Sequence, residues 1–312
     1  MSNRIKGLHH ITAIAGNAQR NYDFYTKTLG LRLVKKTVNF DDPGTYHFYF
    51  GNEKGEPGTI LTFFPWQHIK RGRAGTGMAT HIDYSVPAGS LAFWMERLKE
   101  GGVKQEPGIM EKFSQPYISF EDPDGLLINL VENDQDNRIP WTTPGIDSNA
   151  ALRGFHGVTL TLDHIKPTAE ILTDIFEYRF VKQENNVHRF VTDAADNAAI
   201  IDLVEDPESP HGIVAGGTNH HVAFRVTDNE MLMQFREKII SKGLGITPQI
   251  DRNYFFSLYF REPGGVLFEI ATDTPGFDVD EPLTELGTGL KLPPQYEPAR
   301  QKIAAALPVI IP

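Results

Sequence analysis

Two histidine doublets and one glutamate are the residues of this chain whose types and spacing could do chemistry. GLHHITA (7–13) and TNHHVAF (218–224) each place adjacent histidines at the start of an apolar run, and GVLFEIAT (265–272) carries Glu269 inside an otherwise apolar strand. Successive side chains on a strand point to opposite faces, so both members of a doublet reach one site only if the strand bulges. In HHVAFRV, Val222, Phe224 and Val226 share a packing face with His220, leaving His221 with Ala223 and Arg225 on the other face. Ile11 and Ala13 likewise take His9 to the packing side, and His10 falls with Thr12, although Ile14 also lies on that face. In the third stretch, Val266, Phe268 and Ile270 pack, and Glu269 faces away from them. A carboxylate in mid-strand is costly to bury without a partner. Two neutral imidazoles and a carboxylate form the 2-His-1-carboxylate set, which leaves open positions and suits non-haem Fe(II); Mn(II) accepts the same ligands. The expected metal ligands are therefore His10, His221 and Glu269. In GFHGVTL (154–160), His156 sits with Val158 and Leu160 on the packing face, so it is the runner-up to His10.

The elements that must position these residues recur four times. SFEDPDGLLINLVE (119–132) aligns with YFREPGGVLFEIAT (259–272), pairing Pro123 with Pro263, Gly125 with Gly265 and Asn129 with Glu269. GLHHITAIAG (7–16) aligns with GFHGVTLTLD (154–163), and ATHIDYSV (79–86) with NHHVAFRV (219–226). Each opening strand leads into an amphipathic helix; in the first, Asn17 is the expected N-cap. The spacing predicts four βαβββ modules at 7–66, 77–133, 153–206 and 217–272. Read in chain order, they give an N-terminal domain over 1–133, a linker rich in Asp, Asn and Pro over 134–152, and a C-terminal domain over 153–272. A Pro-rich tail (273–312), with a short helix at PARQKIAAAL, is expected to wrap the body. In the second module His81 takes the cavity face, but its companion Asn129 is a poor ligand for a transition metal.

Composition narrows the function. Hydrophobic residues make up 40% and charged residues 22% of the 312, as in ordinary globular proteins, and the formal net charge of −10 offers no basic stripe for nucleic acid. With no cysteine, thiolate metal sites, disulfides and cysteine nucleophiles are excluded. The start, MSNRIKGLHH, lacks a signal-type apolar core, and no apolar run reaches membrane-spanning length, so a cytoplasmic protein is expected.

The span 7–272 resembles the vicinal oxygen chelate superfamily, which includes glyoxalase I, bleomycin-resistance proteins and extradiol dioxygenases. LHHITA, NHHVAF and FREPGGVLFEIAT are similar to the hydroquinone ring-cleaving dioxygenases, of the 2,6-dichlorohydroquinone 1,2-dioxygenase and bacillus types. That resemblance implies an α+β fold of two domains with mixed, curved sheets. It also implies an Fe(II) enzyme that inserts both atoms of O₂ into the ring of a hydroquinone or related diol. It puts the metal ligands on His10, His221 and Glu269, the set the face argument selects, and supporting roles on His9, Thr12, His220, Arg252 and Tyr259. Phe255 and Trp66 are candidates for the ring pocket. Catechol-type extradiol enzymes would instead use His156. Expected partners are a small aromatic diol, O₂ and, in a homo-oligomer, further copies of the chain; nucleic acid and membrane are not expected.

Two rival functions remain. A glyoxalase-type isomerase or transferase wants a fourth protein ligand from an odd-numbered module, where Thr62 is silent but Asp202 is available. A non-enzymatic sequestering protein would use His10 and His221 only for packing.

Overall fold

Every module folds in the predicted order. The computed structural model describes residues 4–312, so the opening residues 1–3 of the MSNRIKGLHH segment lie outside the described residues. Module 1 comprises β1 (Leu8–Ala15), α1 (Ala18–Asp23, continuing as a π turn, Phe24–Thr28), β2 (Arg32–Val38), β3 (Tyr46–Gly51) and β4 (Ile60–Pro65). Module 2 is β5 (Met78–Val86), α2 (Leu91–Glu100), β6 (Met110–Lys112), β7 (Gln115–Glu121) and β8 (Leu127–Glu132). Module 3 is β9 (Gly154–Leu162), α3 (Lys166–Glu170, again with a π turn, Ile171–Ile175), β10 (Arg179–Glu184), β11 (Val187–Val191) and β12 (Ile200–Glu205). Module 4 is β13 (Thr218–Val226), α4 (Asn229–Ser241), β14 (Ile250–Asp251), β15 (Phe255–Arg261) and β16 (Leu267–Pro275). Asn17 caps α1 as expected, its side chain accepting from the Arg20 N–H at 2.8 Å.

The modules do not pair in chain order. One mixed eight-stranded sheet runs β14-β15-β16-β13-β1-β4-β3-β2 and joins module 4 to module 1. The other runs β10-β11-β12-β9-β5-β8-β7-β6 and joins module 3 to module 2. The boundaries 1–133 and 153–272 therefore cut through both sheets, and the 134–152 segment connects β8 to β9 within one sheet. The crossings between sheets lie at 66–77 and 206–217. These two segments bridge each other at Arg71–Gly216, Arg73–Ile213 and Thr76–His211. The physical reason is edge availability. β1 and β13 each have a free edge beside their own module's last strand, and pairing them antiparallel closes one concave sheet.

Period-2 alternation sends one face of each sheet under the helices. Val222, Phe224, Phe268 and Ile270 are all fully buried there, and α4 sets Leu232, Phe235 and Ile239 against them. Burial of side chains this size contributes about 1.5–3 kcal/mol each. The tail straps module 1: Lys35, fully buried, lies 2.5 Å from Asp280 and 2.6 Å from Glu281, and Tyr46 donates to the Pro308 carbonyl. The predicted tail helix is present as α5 (Arg300–Ala306). Among the described residues, no helix is long and apolar enough to cross a membrane.

Candidate metal centre and active site

The doublets sit on bulges. Along the β1–β13 pairing, Leu8 faces Phe224 and His10 faces Ala223, so His9 is an extra residue on β1. Thr12 faces His221 and Ala13 faces Asn219, so His220 is the extra residue on β13. The bulges turn each supporting ring beside its neighbour instead of behind it. His9 Nδ1 lies 2.9 Å from His10 Nδ1, and His220 Nδ1 lies 2.7 Å from His221 Nδ1.

His10, His221 and Glu269 converge, each offering a ligand atom within 4.8 Å of the others. His10 Nε2 is 3.2 Å and His221 Nε2 is 2.9 Å from the same oxygen, Glu269 Oε2. All three side chains are buried, Glu269 completely. The hydrogen-bond chain fixes the tautomer of His10. His9 Nε2 is 3.1 Å from the Thr272 carbonyl oxygen, which can only accept, so His9 donates there and its Nδ1 must accept from His10 Nδ1–H. His10 then presents an Nε2 lone pair to a carboxylate oxygen. Neither oxygen of Glu269, nor Nε2 of His221, has a hydrogen-bond partner. The His10 lone pair, the Glu269 carboxylate and the His221 ring converge, shut away from water, as a donor set for a cation. The residues fit a divalent metal. Burial, reinforced by the neighbouring His10, keeps the His9 ring neutral, as its accepting role requires.

Because His9 contacts His10 and is not one of the three converging groups, His9→Phe should weaken metal affinity about 10–100-fold without removing the site. His9→Asn, which can still accept from His10, should recover part of that loss. A chelator competition titration measures both.

A cavity of about 390 Å³ opens onto the donor set and is lined by His10, His221, Arg252, Tyr259, His220 and His47, among others. Phe255 and Trp66, expected in the ring pocket, are both in its wall, with Phe64 and Phe40. Arg252 Nε donates to the Tyr259 hydroxyl oxygen at 3.2 Å, and Ser257 Oγ lies 3.4 Å from the same oxygen. Burial pushes the Tyr259 phenol up, so it stays protonated. Thr12 is one step removed: its Oγ1 lies 2.8 Å from Thr62 Oγ1, which is 2.9 Å from His47 Nε2.

His47 was not legible as a site residue. It belongs to no doublet or repeat, yet on β3 it shares a face with Tyr49, opposite the packed Phe48 and Phe50. The same alternation that separated His10 from His9 would have found it. Its Nδ1 is 2.9 Å from the Tyr49 hydroxyl, and burial, with His10 and His221 nearby, drives its pKa well down.

His156 does not belong here. It lies on β9 in the other sheet, 3.2 Å from Gln115, as the bulge residue there. The structure does not bring the runner-up His156 to Glu269 and His221, which lie in the first sheet. Asp202, the fourth ligand a glyoxalase-type reading needed, is also in the other sheet, ion-paired with Arg189 and Lys112. At the corresponding register the first sheet has Thr62.

Residues 7–130 and 154–270 match the family described as the Glyoxalase/Bleomycin resistance protein/Dioxygenase superfamily. The chain belongs to this superfamily. Within it, the chain is 46% identical over 305 residues to "Putative ring-cleaving dioxygenase MhqE" of Bacillus subtilis, covering 98% of this chain and 99% of that one. It is 38% identical over 319 residues to the "Chlorohydroquinone/hydroquinone 1,2-dioxygenase" of Sphingobium indicum, covering 99% and 98%. The crystal structure of a "putative dioxygenase" from Bacillus subtilis superimposes with a TM-score of 0.95 at 44% identity, covering 99% of both chains. Glyoxalase I from Zea mays, at 15% identity and a TM-score of 0.64 over 86% of this chain and 92% of that one, shares the superfamily fold.

Proposed function

We propose that this superfamily member is a cytoplasmic Fe(II)-dependent dioxygenase that opens the aromatic ring of a hydroquinone or related diol with O₂, with His10, His221 and Glu269 as the metal ligands. The observation that carries the reading is the buried convergence of those three groups at the end of an aromatic-walled cavity. It is supported by near full-length similarity to proteins named as ring-cleaving and hydroquinone dioxygenases. A bound metal supplies open positions for substrate and O₂ and lowers the pKa of a diol hydroxyl.

The chain's own groups do the rest. Phe64, Trp66 and Phe255 hold the ring and exclude water. His10 and His221 stay oriented through their Nδ1 contacts with His9 and His220. Because Arg252 donates to the Tyr259 oxygen, the Tyr259 proton is free to point into the cavity, toward the oxygen on which negative charge develops. Buried, neutral His47, with both ring nitrogens engaged by Tyr49 and Thr62, forms a fixed part of the cavity wall.

Anaerobic reconstitution with Fe(II), followed by an oxygen-electrode assay with methylhydroquinone and catechol, tests the proposal. Oxygen consumption should match ring cleavage one to one. No uptake with either diol, despite bound metal, would sink the dioxygenase reading.

A further inference from the structure

The second sheet repeats the architecture of the first, and its register gives the correspondence residue by residue. Where the first sheet aligns His10 with Ala223 and Thr12 with His221, the second aligns Gly157 with Asp83 and Thr159 with His81. Glu269 beside Ala223 becomes Asn129 beside Asp83. Of three metal ligands, only His81 survives. A side chain at Gly157 would bring its Cβ to 2.8 Å from the Ile200 carbonyl oxygen, so the missing histidine has no room.

The second sheet carries its own cation. Lys112 Nζ lies 3.0 Å from Asp83 and 2.9 Å from Asp202, both carboxylates being buried. Arg189 holds Asp202 through two contacts of 2.8 and 2.9 Å. Two carboxylates face two cations, leaving no charge for a metal or an anion to balance. Burial would raise the Asp83 carboxyl, but Lys112 and the Asn129 amide outweigh it and bring it to about 2. Asn129 Nδ2 donates to Asp83 Oδ1 at 2.6 Å, which fixes the amide orientation. Its carbonyl oxygen is consequently left as a buried acceptor with no donor, on a side chain only 4% exposed. An orphaned acceptor of this kind costs about 1–3 kcal/mol unless something donates to it.

Asn129 lines a cavity of about 430 Å³ with His81, Lys112 and Glu106 on the polar side and Met110, Val187 and Val204 on the apolar side. We infer that the second sheet is a metal-free binding site for a neutral monocyclic phenol, whose hydroxyl donates to Asn129 Oδ1 and whose ring lies against Met110, Val187 and Val204. A phenol hydroxyl donates where the orphan accepts. It also accepts, so the remaining Lys112 N–H or the His81 ring has a partner. A neutral ligand suits a site where the buried charges of Asp83, Asp202, Lys112 and Arg189 cancel and the exposed Glu106 carboxylate in the lining repels an anion, and a single ring suits a cavity of this size. The site stands apart from the metal centre and needs no catalysis there.

Calorimetric titration of the full chain with 4-methylphenol tests it, in the wild type and in Asn129→Leu and Val204→Trp. The first variant removes the acceptor, and the second fills the cavity without touching the polar cluster. Melting curves confirm that each is folded. Wild-type binding should weaken about tenfold or more in both variants, as expected for one lost hydrogen bond or lost space. No binding by the wild type, or wild-type affinity in either folded variant, overturns the proposal. Oxygen uptake with methylhydroquinone, scored separately, should be unchanged in both variants, and its outcome bears only on the metal centre.

Discussion

Glu269→Gln should abolish metal binding and ring cleavage while leaving the metal-free protein at least as stable as the metal-free wild type. The two halves of that expectation have one cause. Glu269 is fully buried, with an oxygen 2.9 Å from His221 Nε2 and 3.2 Å from His10 Nε2, the His10 proton lying on its Nδ1. Without a cation, the carboxylate is a desolvated charge facing a lone pair, a cost to the fold. Replacing it with an amide removes the charge and supplies donors for those lone pairs. With a cation, the same carboxylate supplies the charge that holds it, and its loss removes several kcal/mol of electrostatic stabilisation, about 10³-fold or more in rate. Metal analysis, oxygen uptake and melting curves with and without Fe(II) or Mn(II) read the three quantities. The wild type should gain about 2.7 kcal/mol at metal concentrations one hundred times Kd, and the variant nothing. His10→Ala should likewise lose metal and activity, whereas His156→Ala should keep both, because His156 lies in the other sheet beside Gln115. A metal-free Glu269→Gln protein that melts well below the metal-free wild type would show Glu269 to be a structural ion-pair partner.

The convergence of His10, His221 and Glu269 could be read in the sequence because strand alternation is local. Which face His10, His221 and Glu269 occupy depends only on their apolar neighbours two residues away. Module order, turns and the Asn17 cap are local in the same sense. The pairing of modules is not. β1 meets β13 across more than two hundred residues, and nothing in LHHITAIA distinguishes that partner from the nearer β5. The repeats revealed the units, while their association is decided by free strand edges and by the mutual bridging of the segments near Arg71 and Gly216. The bulges were also hidden. They turn His9 and His220 toward their neighbours, and at His9 this makes the supporting histidine a hydrogen-bond acceptor that fixes the tautomer of His10. His156 and Asp202 looked like candidates only while all modules were equal in view. Once modules 2 and 3 form their own sheet, both are seen to serve its internal charge cluster.

Tyr259→Phe should lower kcat by about 10²-fold or more while leaving metal content unchanged, the range expected for loss of a positioned proton donor. The hydroxyl stands on β15 directly across from Glu269 on β16, so it reaches the same space as the ligands without being one. Arg252 approaches its oxygen at 3.2 Å and Ser257 at 3.4 Å. An oxygen approached by a guanidinium N–H uses a lone pair there, so its own proton must go elsewhere, and the cavity is on its open side. Burial keeps that proton on at neutral pH. The arrangement differs from a simple ion pair: Arg252 polarises the phenol, and the phenol delivers the effect. Arg252→Lys keeps the charge but loses the fixed fork geometry of the guanidinium, so it should reproduce part of the Tyr259→Phe loss. Combining the two substitutions should cost little more than Tyr259→Phe alone, since both act through one proton. Equal metal content in all three variants, with the losses in kcat rather than in KM, separates proton donation from substrate binding. A double variant whose losses simply add would mean that Arg252 acts on the substrate directly.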